Sequence, residues 1–142
     1  MSRSGTLDWF AEAGSEDLSA QLRLIKRLSE GIPFGELSFL MRKVNMSQEE
    51  VAVALNIPSR TLARRREPSW RLAIGEGERV FRFARILNLA AGTLGSINKA
   101  KVWMQKKNRA LGGVTPMSLL DTDLGTLAVQ DVLGRIEYGI FS

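Results

Sequence analysis

Residues Ser47–Glu67 read SQEEVAVALNIPSRTLARRRE. Ser47 is followed three residues later by Glu50, the spacing at which two side chains close each other's backbone groups at a helix start. Val51, Ala54 and Leu55 mark the buried side of a short helix, with Ala52 lying against it. Asn56-Ile57-Pro58 ends that helix. Ser59 then reads as the cap of a second one, which runs through the arginines and stops before Pro68. Two short helices that cross steeply need a small residue at their closest approach, and Ala52 is placed there. The turn between them needs a residue that tolerates positive φ, and Asn56 is placed there. Ile57 and Leu62, with Val51 and Leu55, supply the apolar lock. This is helix-turn-helix spacing.

Four arginines fall between Arg60 and Arg66. In a helix-turn-helix the second helix enters the major groove with its N-terminal residues towards the base edges. Ser59, Arg60, Thr61 and Arg64 are then expected to face DNA, arginine being the commonest bidentate reader of guanine. Arg65 and Arg66 are expected to reach phosphates, and Gln48 to touch the backbone. The bland alternative is a purely structural helix pair with a solvated cationic face.

The charge distribution bears on that choice. Residues 1–58 hold 6 Lys+Arg against 8 Asp+Glu, residues 59–109 hold 13 against 3, and residues 110–142 hold 1 against 4. A basic block flanked by mildly acidic ends is the electrostatic footprint of a polyanion ligand. Groove readers usually engage two half-sites together, so a homodimer is expected.

Composition excludes other classes. The chain has 142 residues, 44% hydrophobic and 25% charged, the balance of an ordinary globular protein of about one domain. It holds no cysteine and no histidine, which removes disulfides, thiolate sites, the commonest zinc ligand and the commonest general base. No cofactor, metal or enzymatic activity is expected. Asp121 and Asp123 flank Thr122 as part of a helix cap rather than as an acid–base pair. No apolar run approaches the ~20 residues of a membrane span, and the opening MSRSGTLDWFAEAGSEDL lacks an apolar core. A cytoplasmic protein is expected.

Outside the central motif the signals are helical, and an all-α fold of about seven helices is predicted. Leu18, Leu22, Ile25 and Leu28 follow helical spacing and close at Gly31. Phe34, Leu37, Leu40, Met41 and Val44 mark the next face, with Asn45 at its end. Gly75 and Gly77 read as bracketing a loop. A long amphipathic helix is predicted from Glu78 to about Ala91, with Arg79, Arg82 and Arg85 leaving it on another side. Ala100, Trp103 and Met104 define a further helix, followed by the basic run Lys106–Arg109. In Leu111–Pro116 two glycines make a turn, with Thr115 as cap and Pro116 at the first helical position. A last helix carries Leu124, Leu127, Ala128, Val132, Leu133 and Ile136 on one face.

These residues resemble a known family. SQEEVAVALNIPSRTLARRRE, ERVFRFARIL and ALGGVTPMSLLDTDLGTLAVQDVLGRIEYGIFS are similar to antitoxins of the Xre/MbcA/ParS type. The specific part is Trp103 with Asn108 five residues on, then Ala110–Leu120, then Gly125–Ser142. The resemblance implies an Xre-like helix-turn-helix bundle over residues 1–70, with the motif at 47–67, and a small helical toxin-binding antitoxin domain over 71–142. It implies a RES-domain toxin as partner, similar in fold to ADP-ribosyltransferases and depleting NAD⁺, and repression of the antitoxin's own operon. The family includes solitary members, so a helix-turn-helix regulator without a toxin is the alternative.

The chain ends on EYGIFS. No further chain is expected to cover Ile140 and Phe141, so they are expected either to fold back on the last helix or to lie open as part of a binding surface. The expectation is that this end docks on the toxin near its NAD⁺ pocket. Arg135, Glu137 and the carboxylate of Ser142 are the polar anchors, and Tyr138, Ile140 and Phe141 the apolar part.

Overall fold

The computed structural model describes residues 17–65, 67 and 69–139. Among the described residues there are seven α-helices and two 3₁₀ turns, and β-pairing is limited to two isolated bridges. The all-α expectation holds. The chain separates into two compact units, one ending at Phe81 and the other beginning at Arg82. No described helix is long and apolar enough to cross a membrane.

The first unit contains α1 (Leu18–Glu30), α2 (Phe34–Lys43), α3 (Gln48–Leu55), α4 (Ser59–Arg64) and the first turns of α5 (Ile74–Leu94). Asp17 caps α1 by accepting from the Ala20 amide, and Gly31 closes it at φ +88°. Helical spacing gave the element correctly but not its packed face. Ala20 and Leu24 are buried, whereas Leu18, Leu22 and Ile25 are exposed. Two apolar stripes share this helix, and sequence alone does not say which one meets the core. In α2, Phe34, Leu37 and Leu40 are buried, followed by Val44 just beyond the helix.

Residues 70–72 cross back over the start of α2. The Phe34 amide donates to the Trp70 carbonyl at 2.6 Å and the Leu72 amide to the Ile32 carbonyl at 2.8 Å. This leads directly into α5, which begins at Ile74, so Gly75 and Gly77 lie in its first turn and not in a loop. Glu76 explains the early start, because its Oε1 accepts from the Ala73 amide at 3.0 Å, the backward half of a capping box. Gly77 lies against α1. A Cβ there would stand 3.2 Å from Leu28 Cδ2, close enough that the leucine would have to shift by a few tenths of an ångström to admit it.

The second unit continues α5 and adds α6 (Ile97–Met104), 3₁₀ turns at Arg109–Leu111 and Met117–Leu119, and α7 (Asp123–Glu137). Its buried apolar residues include Phe83, Leu87, Ala100, Met104, Met117, Leu120, Val129, Val132 and Leu133. Thr115 Oγ1 accepts from the Ser118 amide at 3.2 Å, but Pro116, expected as the first helical residue, holds the cap position of the 3₁₀ turn with helical φ and ψ. Thr122 caps α7, accepting from the Gly125 amide at 3.0 Å. The core side of α7 is Thr126, Val129, Val132 and Leu133. Leu124, Leu127 and Ala128, expected on that side, face outward instead.

Candidate functional site

Two surfaces emerge, one in each unit. The first is built on α3 and α4. Ser47 Oγ accepts from the Glu50 amide while Glu50 Oε1 accepts from the Ser47 amide, so the capping box is complete. Asn56 ends α3 in the left-handed conformation, φ 55° and ψ 43°. The Ile57 amide then donates to the Ala52 carbonyl at 3.0 Å, which fixes the path into α4. Val51, Ala52, Leu55, Ile57 and Leu62 are all buried.

Pro58, not Ser59, holds the cap position of α4, and no side chain closes that end. Ser59 is the first helical residue. The proline supplies the extended entry itself, so the serine hydroxyl is not needed there. Six residues make no stable helix alone. Leu62, 1% exposed, anchors this one, with burial of such a side chain contributing about 1.5–3 kcal/mol. Gln48, half-buried, donates to the Ser59 carbonyl at 3.5 Å and links the start of α3 to the start of α4.

Arg60 and Arg64 are exposed and one helical turn apart, on the same side of α4. Ser59 and Thr61 are half-buried beside them. Arg65 differs. Its Nη1 donates to Glu76 Oε2 at 2.6 Å, and its guanidinium lies 4.6 Å from the Trp70 ring centroid. It ties the end of α4 to the start of α5. Arg66 lies outside the described residues.

Part of the basic block is likewise engaged inside the units. Arg79 Nη1 donates to the Leu55 carbonyl at the end of α3. Arg82 grips the entry to α7: Nε donates to the Leu120 carbonyl at 2.8 Å, Nη2 to the Asp121 carbonyl and Nη1 to Asp123 Oδ1. Neither role had a sequence signal, since the partners are 24 to 41 residues away.

The second surface is the outer side of α7. Leu124 is 78% exposed, Leu127 58% and Tyr138 80%. Between them Arg135 Nη2 donates to Asp131 Oδ2 at 2.6 Å, one turn apart, and Glu137 is exposed. Gly139 follows at φ +71°. Arg135, Glu137 and Tyr138 are thus together at one helix end, while Ile140, Phe141 and Ser142 lie outside the described residues. Leu124 and Leu127 were missed as surface candidates because their apolar character reads as core.

The turn that precedes α7 gives the glycines of the motif a physical role. Asn108 Oδ1 accepts from the Ala110 amide, the Asn108 amide donates to the Val114 carbonyl, and the Asn108 carbonyl accepts from Gly113 at 2.8 Å. Gly112 and Gly113 take positive φ within this closed loop. At Gly125 a Cβ would collide with the Leu119 carbonyl oxygen.

Residues 89–139 match the family described as the Antitoxin Xre/MbcA/ParS C-terminal toxin-binding domain. A protein of Yersinia enterocolitica named Antitoxin Xre is 35% identical over 120 residues, 84% of this chain and 81% of that one. Another Antitoxin Xre, from Photorhabdus laumondii, is 34% identical over 116 residues, 81% and 78% of the two chains. A Sphingobium protein named Prs ADP-ribosylating antitoxin is 23% identical over 124 residues, again 81% and 78%.

Proposed function

Because the chain belongs to the Xre/MbcA/ParS family of antitoxins, we propose that it neutralises a RES-domain, NAD⁺-depleting toxin by direct binding and represses its own operon through a helix-turn-helix. The toxin arm is carried by the outer side of α7. Leu124, Leu127 and Tyr138 form an apolar and aromatic edge that the second unit leaves uncovered. Aromatics and arginine concentrate binding energy when a partner desolvates them, and Arg135 stands within this edge. Docking there brings the segment after Gly139, Ile140–Ser142, to the mouth of the toxin's NAD⁺ pocket. Occupying that pocket excludes the dinucleotide. The Sphingobium relative's name couples an antitoxin with ADP-ribosylation, a chemistry that consumes NAD⁺.

The DNA arm rests on Arg60 and Arg64, exposed on one side of a helix whose position is fixed by Asn56, Ile57 and Leu62. Both point the same way and are free to read base edges, with Ser59 and Thr61 beside them. Gln48 and Arg66 serve the phosphate backbone. Arg65 is directed towards Glu76 and contributes mainly by holding α4 in place. A homodimer presents two such helices to two half-sites.

Co-expression with a RES toxin tests the toxin arm. A chain truncated before Glu137 is expected to fold yet fail to restore growth. Full protection by the folded truncated chain removes the C-terminal segment from the mechanism.

A further inference from the structure

From Arg79 to Leu120 the chain has no aspartate or glutamate across 42 residues, yet it carries eight lysines and arginines. Arg79 and Arg82 are engaged by carbonyl groups and by Asp123. Arg85 and Lys101 are half-buried. The other four, Lys99, Lys106, Lys107 and Arg109, are exposed and make no ion pair among the described residues.

Those four lie close along the chain on a firmly held backbone. Ser96 caps α6 through the Lys99 amide at 3.1 Å, and Met104 anchors its last turn at 0% exposure. The Lys106 amide donates back to the Trp103 carbonyl, and the Asn108 turn closes directly behind the two lysines. Along the chain the acids of this unit all come later, at Asp121, Asp123, Asp131 and Glu137. A surface built only for solubility intersperses the two signs. Here the cations are segregated and uncompensated.

We propose that Lys99, Lys106, Lys107 and Arg109 form a second phosphate-binding surface, on the antitoxin unit, that grips duplex DNA without reading its sequence. Three of the four are lysines, point-charge partners for phosphate that are depleted at protein–protein interfaces. That composition favours nucleic acid over an acidic protein partner. The proposal shares with the helix-turn-helix reading only the choice of duplex DNA as ligand. It places the charge for affinity in one unit and the choice of sequence in the other.

The test measures binding of full-length protein to a promoter duplex and to a scrambled duplex over a salt series. The variant K99A/K106A/K107A/R109A is expected to bind both about tenfold or more weakly, with the ratio between them unchanged. Its log–log salt slope should fall in magnitude by about 3 to 4, one counterion release per lost contact. K99R/K106R/K107R, which keeps the charge, should bind as the parent does. R60A/R64A should lose the ratio and keep most of the slope. An unchanged slope in the quadruple variant, with the parent still selective for its promoter, overturns this proposal alone. Lost toxin binding with unchanged DNA binding overturns it and reassigns the cluster to an acidic protein surface. Failure of the parent to bind any duplex overturns both DNA assignments together.

Discussion

Arg79 reaches across 24 residues to donate a hydrogen bond to the carbonyl of Leu55, at 3.2 Å. That carbonyl belongs to the last turn of α3, where the helix has no amide of its own left to offer. The guanidinium therefore fixes α3 against α5 and, through Asn56, the path into α4. Arg79→Ala is expected to lower the stability of the first unit by about 1–2 kcal/mol, the worth of a partly exposed hydrogen bond from a charged donor. Urea unfolding measures it, and Arg79→Lys should recover only part of the loss.

Arg64 and Arg65 are neighbours with opposite expected phenotypes. Arg65 pairs with Glu76 and covers Trp70, so Arg65→Ala should cost about 1 kcal/mol of stability. Arg64→Ala, at an exposed position, should change stability by no more than ~0.5 kcal/mol while weakening promoter binding. Thermal unfolding and gel shifts on the same two proteins separate the roles. Equal stability losses in both would contradict the assignment.

Gly125 and Gly134 lie on the same helix and differ in what surrounds them. A methyl group at 125 runs into the Leu119 carbonyl, whereas nothing stands within 4 Å of one at 134. Gly125→Ala should destabilise the second unit by about 1–3 kcal/mol through overpacking. Gly134→Ala should stabilise it by roughly 0.5–1 kcal/mol, because alanine restricts the unfolded chain and favours helix. Circular dichroism during thermal unfolding reads both.

Asn56 has φ 55°. Asn56→Ala is expected to cost roughly 1–2 kcal/mol, the penalty of a Cβ in the left-handed region, and Asn56→Gly should be close to neutral. If alanine proves as good as glycine in denaturant titrations, the turn has another conformation in solution.

Tyr138→Ala should leave stability unchanged within ~0.5 kcal/mol, since the ring is 80% exposed, and still weaken toxin binding by at least tenfold. Calorimetric titration with the toxin decides it.

The features legible in the sequence are those whose causes are local. The Ser47–Glu50 box and the left-handed Asn56 each depend on residues within a few positions, and both stand as expected. Gly77 was misleading because its close neighbour is Leu28, on another helix. The face of α7 was ambiguous for a different reason: apolar residues occur almost all round it, and only packing selects Val129 over Leu127. The same holds for α1, where Leu24 is chosen over Leu22. At the candidate surfaces, exposure of Arg60 and Arg64 agrees with helical spacing, but capture of Arg65 by Glu76 needed a contact eleven residues away. Charge content is visible in a sequence, whereas its internal neutralisation is not.

Arg82 holds two carbonyls and one carboxylate in the stretch that launches α7. Its planar fork cannot be imitated by lysine, which offers a single ammonium. A chimaera that transplants residues 121–139 is therefore expected to need an arginine at position 82 along with the graft. Without it the transplanted helix keeps its sequence and loses its aim.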